Sequence, residues 1–166
     1  KPYVYSELAG RFVRALKIPS YDNEVVLRVV LGPQNHMFKK EGIDDFLENI
    51  YTVSADSDRM GYRLEGKEIA HKDTADIISD GIVKGAVQGP GHGNPIIMLA
   101  DCQTTGGYTK IAHVVTSDLW KIAQLKAGNK IQFKSIEIDE AHKLLRRRED
   151  DYQSIYTDFH QYRIIG

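Results

Sequence analysis

Apolar residues recur along this chain in short runs set apart by polar and glycine-rich breaks, a pattern that predicts many short strands and few helices. Glu24 to Leu31 is apolar except for Arg28 and reads as a central strand. Gly32-Pro33-Gln34-Asn35 ends it. Ile43, Phe46, Leu47 and Ile50 fall at the spacing of one helix face. A strand is expected from Tyr51 to Ala55, and a second over Tyr62-Arg63-Leu64-Glu65 after the polar turn at Asp56 to Gly61. Ile77 to Ser79 suggests a shorter one. Gly81 to Gln88 alternates as a strand, and Gly89 to Pro95 is a dense turn cluster.

Further on, Ile96 to Ala100 and Ile111 to Val115 read as buried strands that flank a polar run, Asp101 to Tyr108. Ser117-Asp118 can cap a helix running to about Leu125. Ala127-Gly128-Asn129 is a turn. Ile131 and Phe133 share one parity and Ile136 and Ile138 the other, which predicts a bulge near Lys134 or Ser135. Asp139 can cap a closing helix with Ala141, Leu144 and Leu145 on one face and Arg146-Arg147-Arg148 at its C-terminal end. The sequence divides into a linker over 1–20, a barrel domain over 21–149 and a tail over 150–166 without clear period. The expected class is mainly β, a barrel or sandwich with two or three short helices.

Composition narrows the partners. At 166 residues the chain can bury about two-thirds of its unfolded surface, enough to fold without a disulfide or metal. A net charge of −1 supplies no basic field for nucleic acid or anionic membrane. No apolar run is long enough to span a bilayer, and no secretory signal opens the chain. The single cysteine permits no internal disulfide, so a cytoplasmic location is expected.

The polar run is the candidate site. Asp101-Cys102-Gln103-Thr104-Thr105-Gly106-Gly107-Tyr108 offers a carboxylate, a thiol, an amide, hydroxyls, a phenol and two flexible backbone positions. Polar groups between core strands are held still enough to bind a ligand, although a hairpin loop would have the same composition. Arg59 could grip a carboxylate in bidentate fashion or pair with Asp56 and Asp58. Gln88 and Gln103 each supply a donor and an acceptor, suited to a ureido or lactam group or to bridging loop backbone. Tyr62 and Tyr108 could wall a pocket or belong to the core, and Asp101 could act as a base or cap its loop. The histidines are scattered without metal-ligand spacing, and Cys102 has no basic neighbour to activate it.

Two long motifs carry a resemblance, Asp58-Arg59-Met60-Gly61-Tyr62-Arg63-Leu64-Glu65-Gly66 and Ala100 through Tyr108. With Arg28 to Gln34, Gly85 to Gln88 and Ala123 to Phe133 in the same order, they resemble the allophanate hydrolase subunit 2 family. That family is also called KipA-like and includes the C subunit of 5-oxoprolinase and part of the carboxyltransferase region of urea carboxylase. The likeness runs from about Pro19 to about Leu145. Thr109 and the turn Gly89-Pro90-Gly91-His92-Gly93 depart from it, both in expected loops.

The resemblance implies a cyclophilin-like β-barrel, and it implies that an N-terminal half of the subunit is missing here. It also implies action with partner subunits, above all a KipI-like (allophanate hydrolase subunit 1-like) companion, on a small amide or lactam. The reaction would be ATP-dependent opening of 5-oxoproline or biotin-dependent carboxyl transfer. ATP or biotin would serve the full complex, and none is assigned to this chain, which lacks a phosphate-binding P-loop. The expected substrate-binding residues are Arg59, Gln88, Gln103, Thr104, Thr105, Gly106, Gly107 and Tyr108, with no metal and no assigned catalytic base. The alternative is a regulatory module that binds a KipI-like partner and relieves its inhibition of a histidine kinase.

Overall fold

The computed structural model describes residues 19–161, with side chains described to residue 156. The expected linker over 1–20 therefore lies almost wholly outside the described residues. Among the described residues there are eight strands: β1 (Glu24–Leu31), β2 (Ile50–Val53), β3 (Gly61–Glu65), β4 (Asp76–Gly81), β5 (Ala86–Gly89), β6 (Ile96–Met98), β7 (Thr105–Val114) and β8 (Lys130–Ser135). The helices are α1 (Lys40–Glu48), α2 (Leu119–Ile122) and α3 (Ile138–Gln161), with 3₁₀ turns at Asn35–Met37 and Thr116–Asp118.

Seven strands close a barrel in the order β1-β8-β2-β3-β6-β5-β7, and the β1–β7 pairing seals it. The expected mainly β barrel is borne out. Closure removes sheet edges and leaves β4 hanging from the first half of β7. Among these strands only β1 and β8 run parallel; every other pairing is antiparallel.

The core forms because the barrel interior receives aliphatic side chains from most strands. Leu27, Val29, Ile97, Ile111 and Ile131 are fully buried there. The α1 stripe is used as its spacing predicts: Phe46 stacks on Phe133 of β8 at 4.3 Å, and Tyr51 tilts against both rings. Ile50 leaves the stripe, opens β2 and is exposed.

Several local expectations are corrected. The stretch from Gly81 to Gln88 is not one strand: β4 ends at Gly81, and β5 begins only after Gly85 turns the chain at φ +92°. No bulge lies at Lys134, since the β1–β8 register runs unbroken from Glu24–Lys130 to Val29–Ser135. The change of parity there is the strand ending and α3 beginning at Ile138. Register shifts occur instead where β7 meets β5, at Val87/Gln88, and where it meets β4. Asp118 does not cap α2 with its side chain; it faces β1, as described below. The closing helix does not stop near Arg148 but continues to Gln161, so the stretch after Asp150 is helical.

Candidate functional site

β7 is twice the length its apolar residues predict, because Thr105 to Tyr108 extend the strand rather than forming a loop. Those first residues pair with β4, placing Gly106 opposite Asp80 and Tyr108 opposite Asp76. The later residues pair with β5, placing Lys110 opposite Gln88. Strand alternation puts Gly106, Tyr108 and Lys110 on one face. Gln88, Gly106, Lys110 and Asp80 are thereby gathered from three strands.

Lys110 is the centre of this group. It is 3% exposed, and its Nζ donates to Asp80 Oδ2 at 2.8 Å. Gln34 locks the pair from the turn after β1: its Nε2 donates to Asp80 Oδ2 at 3.2 Å, and its Oε1 accepts from the Lys110 backbone N–H at 3.2 Å. The Lys110 ammonium bonded to Asp80 is the main reason that carboxyl is held below its ordinary range, with the Gly81 N–H and Gln34 assisting. The buried ammonium and its half-exposed carboxylate form an ion pair whose cationic end lies inside the group and whose anionic end meets solvent.

Gln88 lies beside it, 2% exposed, and its Nε2 has no hydrogen-bond partner among the described residues. Gly106 adjoins both expected glutamines. A methyl group built on it would stand 3.2 Å from Gln88 Nε2 and 3.5 Å from Gln103 Nε2. Gln103 is exposed, so the group reaches solvent on that side. Thr104 lends its carbonyl to the Ile82 N–H at 2.9 Å, and Thr105 pairs with Gly81. Tyr108 is exposed on the shared face, while Gly107 lies against the Ile77 carbonyl.

Arg59 stands apart. It is 91% exposed, and its Nε meets Asp101 at 3.4 Å, not Asp56 or Asp58. Asp58 instead accepts from the N–H groups of Met60 and Gly61, closing its own turn. Arg59 belongs to an open hollow of about 510 Å³ shared with Ser57, Tyr62, Lys84, Asp101 and Leu119. Gln88, Gln103 and Tyr108 do not line it. Tyr62 donates its hydroxyl to the Leu125 carbonyl at 2.9 Å, so it is also a structural strut. The two regions are joined by the short Asp101-Cys102-Gln103 segment, and Cys102 packs into a small secondary core with Ile82 and Met98.

A third polar knot lies on the other parity of β7. His71 Nε2 approaches the Gly89 carbonyl at 3.0 Å and Thr109 Oγ1 at 3.1 Å, and its ring packs on Phe38. Burial pushes this imidazole below its ordinary range. Thr109 is fully buried in β7, so this departure from the family pattern lies in a strand rather than a loop. Among the described residues no group of His, Cys, Asp and Glu has the arrangement to hold a metal.

The profile of the carboxyltransferase domain, subdomain A and B, matches residues 5–135. The chain belongs to that family. The C subunit of 5-oxoprolinase from Haemophilus influenzae is 40% identical over 133 residues, covering 80% of this chain and 41% of that protein. Its Escherichia coli counterpart is 36% identical over 124 residues, 75% of this chain and 39% of that one. Among solved structures, the urea amidolyase of K. lactis superposes with a TM-score of 0.79 at 26% identity, over 88% of this chain and 9% of that one. The chain thus spans about two-fifths of the length of the two 5-oxoprolinase relatives. It is a carboxyltransferase-type domain whose relatives are components of larger enzymes. Among the described residues no helix is long and apolar enough to cross a membrane.

Lys110, Asp80 and Gln34 were absent from the expected site residues. The one signal available was a lysine at the head of an apolar strand, which a solvated strand end would also produce.

Proposed function

We propose that this domain serves a larger enzyme acting on a small amide, either in ATP-dependent opening of 5-oxoproline or in carboxyl transfer from carboxybiotin to an amide such as urea. The barrel over 21–149 is the working unit in this reading. In this reading a KipI-like companion and the remaining part of the subunit supply the ATP or biotin site; the chain carries no P-loop for ATP. The single observation that carries the reading is the buried Lys110 ammonium, locked by Asp80 and Gln34 beside the unpartnered amide of Gln88.

Both reactions develop negative charge on an amide oxygen or nitrogen. A fixed cation held beside the amide stabilises such charge without reorganising at the moment of reaction. Asp80 and Gln34 hold the ammonium in place, and Gln88 and Gln103 orient the amide. Arg59, loosely held and exposed, serves a carboxylate or carboxybiotin arriving over the Ser57–Tyr62 turn.

The test is reconstitution with the companion subunits, followed by separate assays of ATP-dependent 5-oxoproline hydrolysis and biotin-dependent urea carboxylation. Lys110→Met is expected to lower the active one of the two at least about tenfold, about 1.4 kcal/mol of transition-state stabilisation. Undiminished turnover per folded molecule in that variant refutes the reading.

A further inference from the structure

We propose that the outer face of α3 is a docking surface for a second copy of this chain, the two helices packing antiparallel about the Arg148–Glu149 junction.

Helical spacing defines the face. Ile138, Leu145 and Tyr152 recur at heptad intervals along Ile138–Gln161, and Tyr156 lies one turn beyond Tyr152. All four fall on one stripe of the helix. They are 57%, 43%, 50% and 61% exposed, so the stripe meets water rather than the barrel. A surface helix ordinarily turns its apolar stripe to the core. Here α3 meets the barrel chiefly at the 3₁₀ turn Thr116–Asp118, where Arg148 holds it. Its inner side, with Leu144 and Ile155, lines an open hollow of about 610 Å³ across from Tyr21 and Trp120. A helix draws most of its stability from packing an apolar face, and on α3 that packing is still to be supplied. α3 also begins beyond residue 135, where the family match ends, so its face is no part of what the matched family shares.

Charge decides the occupant. Arg146-Arg147-Arg148 is followed directly by Glu149-Asp150-Asp151, a basic block against an acidic one. Turning a second α3 end for end about their junction lays each basic block beside the acidic block of the other copy. Glu149 sits on the exposed stripe between Leu145 and Tyr152, where the other copy's arginines reach it. The same operation sets Leu145 of each copy opposite Tyr152 of the other, so the half-exposed apolar residues nearest the junction cover one another. A parallel pair would lay like blocks together and is disfavoured. Tyr152 is already positioned: Arg148 bonds its hydroxyl and stands 5.3 Å over its ring, with the rest of the side chain in water. Such a contact is two-fold and self-complementary. It is one helix long, about 36 Å, and one stripe wide, which suits a dimer of micromolar affinity rather than an obligate pair.

Sedimentation equilibrium of the 166-residue chain over a concentration series tests this. A monomer–dimer equilibrium is expected. Leu145→Asp, Arg146→Glu and Glu149→Arg should each weaken it at least about tenfold. Each alters an exposed position, so the melting temperature of the dilute monomer should hold. Arg146→Glu and Glu149→Arg chains mixed together should dimerise again, because one supplies an acidic stripe and the other a basic one. A chain that stays monomeric across the series overturns the proposal. So does a dimer that none of the three substitutions weakens, since its interface lies elsewhere, and so do mixed variants that remain apart. A monomer whose α3 variants lose binding to a companion subunit assigns the face to that chain and refutes self-pairing.

Discussion

At the scale of single residues, the most consequential charge pair lies away from the candidate site. Asp118 is fully buried and accepts from the Arg28 backbone N–H at 3.0 Å and from its Nε at 2.8 Å, with a further bond from the guanidinium to the other oxygen. Lys121 Nζ adds a contact at 3.3 Å. Burial pushes the Asp118 carboxyl up, but the bonds from Arg28 and the charge of Lys121 outweigh it and hold the group below its ordinary range. A depressed carboxylate stabilises the fold above its unfolded value, near pH 4, and that contribution is lost as pH falls through the lowered folded value. Asp118→Asn should cost about 3 kcal/mol, the low end for a broken buried pair because Arg28 is partly in water. Urea unfolding between about pH 6 and pH 2 should show a flatter profile in the variant than in the parent chain. An unchanged midpoint at pH 7 would show that this pair is not a structural tie.

Among the elements, α3 makes the clearest case that one side chain can anchor a helix. Arg148 bonds the carbonyls of Thr116 at 3.2 Å and Ser117 at 2.7 Å, while its Nε and Nη2 reach the Tyr152 hydroxyl. Exposed Ile138 and Leu145 contribute little burial along the same helix. Arg148→Ala should therefore loosen α3 without opening the barrel. Hydrogen exchange is expected to speed up across Ile138–Gln161 while β1 and β7 stay protected. Equal acceleration in the strands would mean that α3 is integral to barrel stability.

In the whole molecule, the barrel strands and α1 share the main hydrophobic cluster, and the proposed chemistry would be shared with other chains. The Phe46–Phe133 stack joins α1 to β8 at the centre of the main cluster. Phe46→Ala should cost about 3–5 kcal/mol by deleting buried surface and leaving a cavity, and it should lower the thermal midpoint measured by α1 and barrel signals together. The isolated chain should show no turnover of 5-oxoproline or urea, with activity appearing only on adding companion subunits. Robust hydrolysis by the chain alone would overturn the shared-site reading.

Local pattern determined much of this molecule. β1 matches its apolar run to the residue, and α1 follows the Ile43–Leu47 stripe. Glycine and proline clusters mark the breaks, because strand and helix periodicity and the φ preferences of these residues act within a few positions. The polar motifs were distinctive enough to reveal the family. Gln88, Gln103 and Gly106 were candidates because an amide supplies both a donor and an acceptor and a glycine lets backbone approach a ligand closely.

Only the tertiary structure decided what the charged residues do. Lys110 meets a carboxylate 30 residues away and a glutamine 76 residues away, and Asp118 finds Arg28 across 90 residues. Those partners are set by which strands pair in the closed barrel, and a strand's own propensity is the same whether its lysine ends in solvent or against an aspartate. Arg59 shows the converse: its neighbouring aspartates suggested a local pair, yet the chain turns so that it meets Asp101 instead. Helix and strand were legible because their causes are local; the ammonium at the centre of the site was not, because burial and charge pairing are properties of the folded whole.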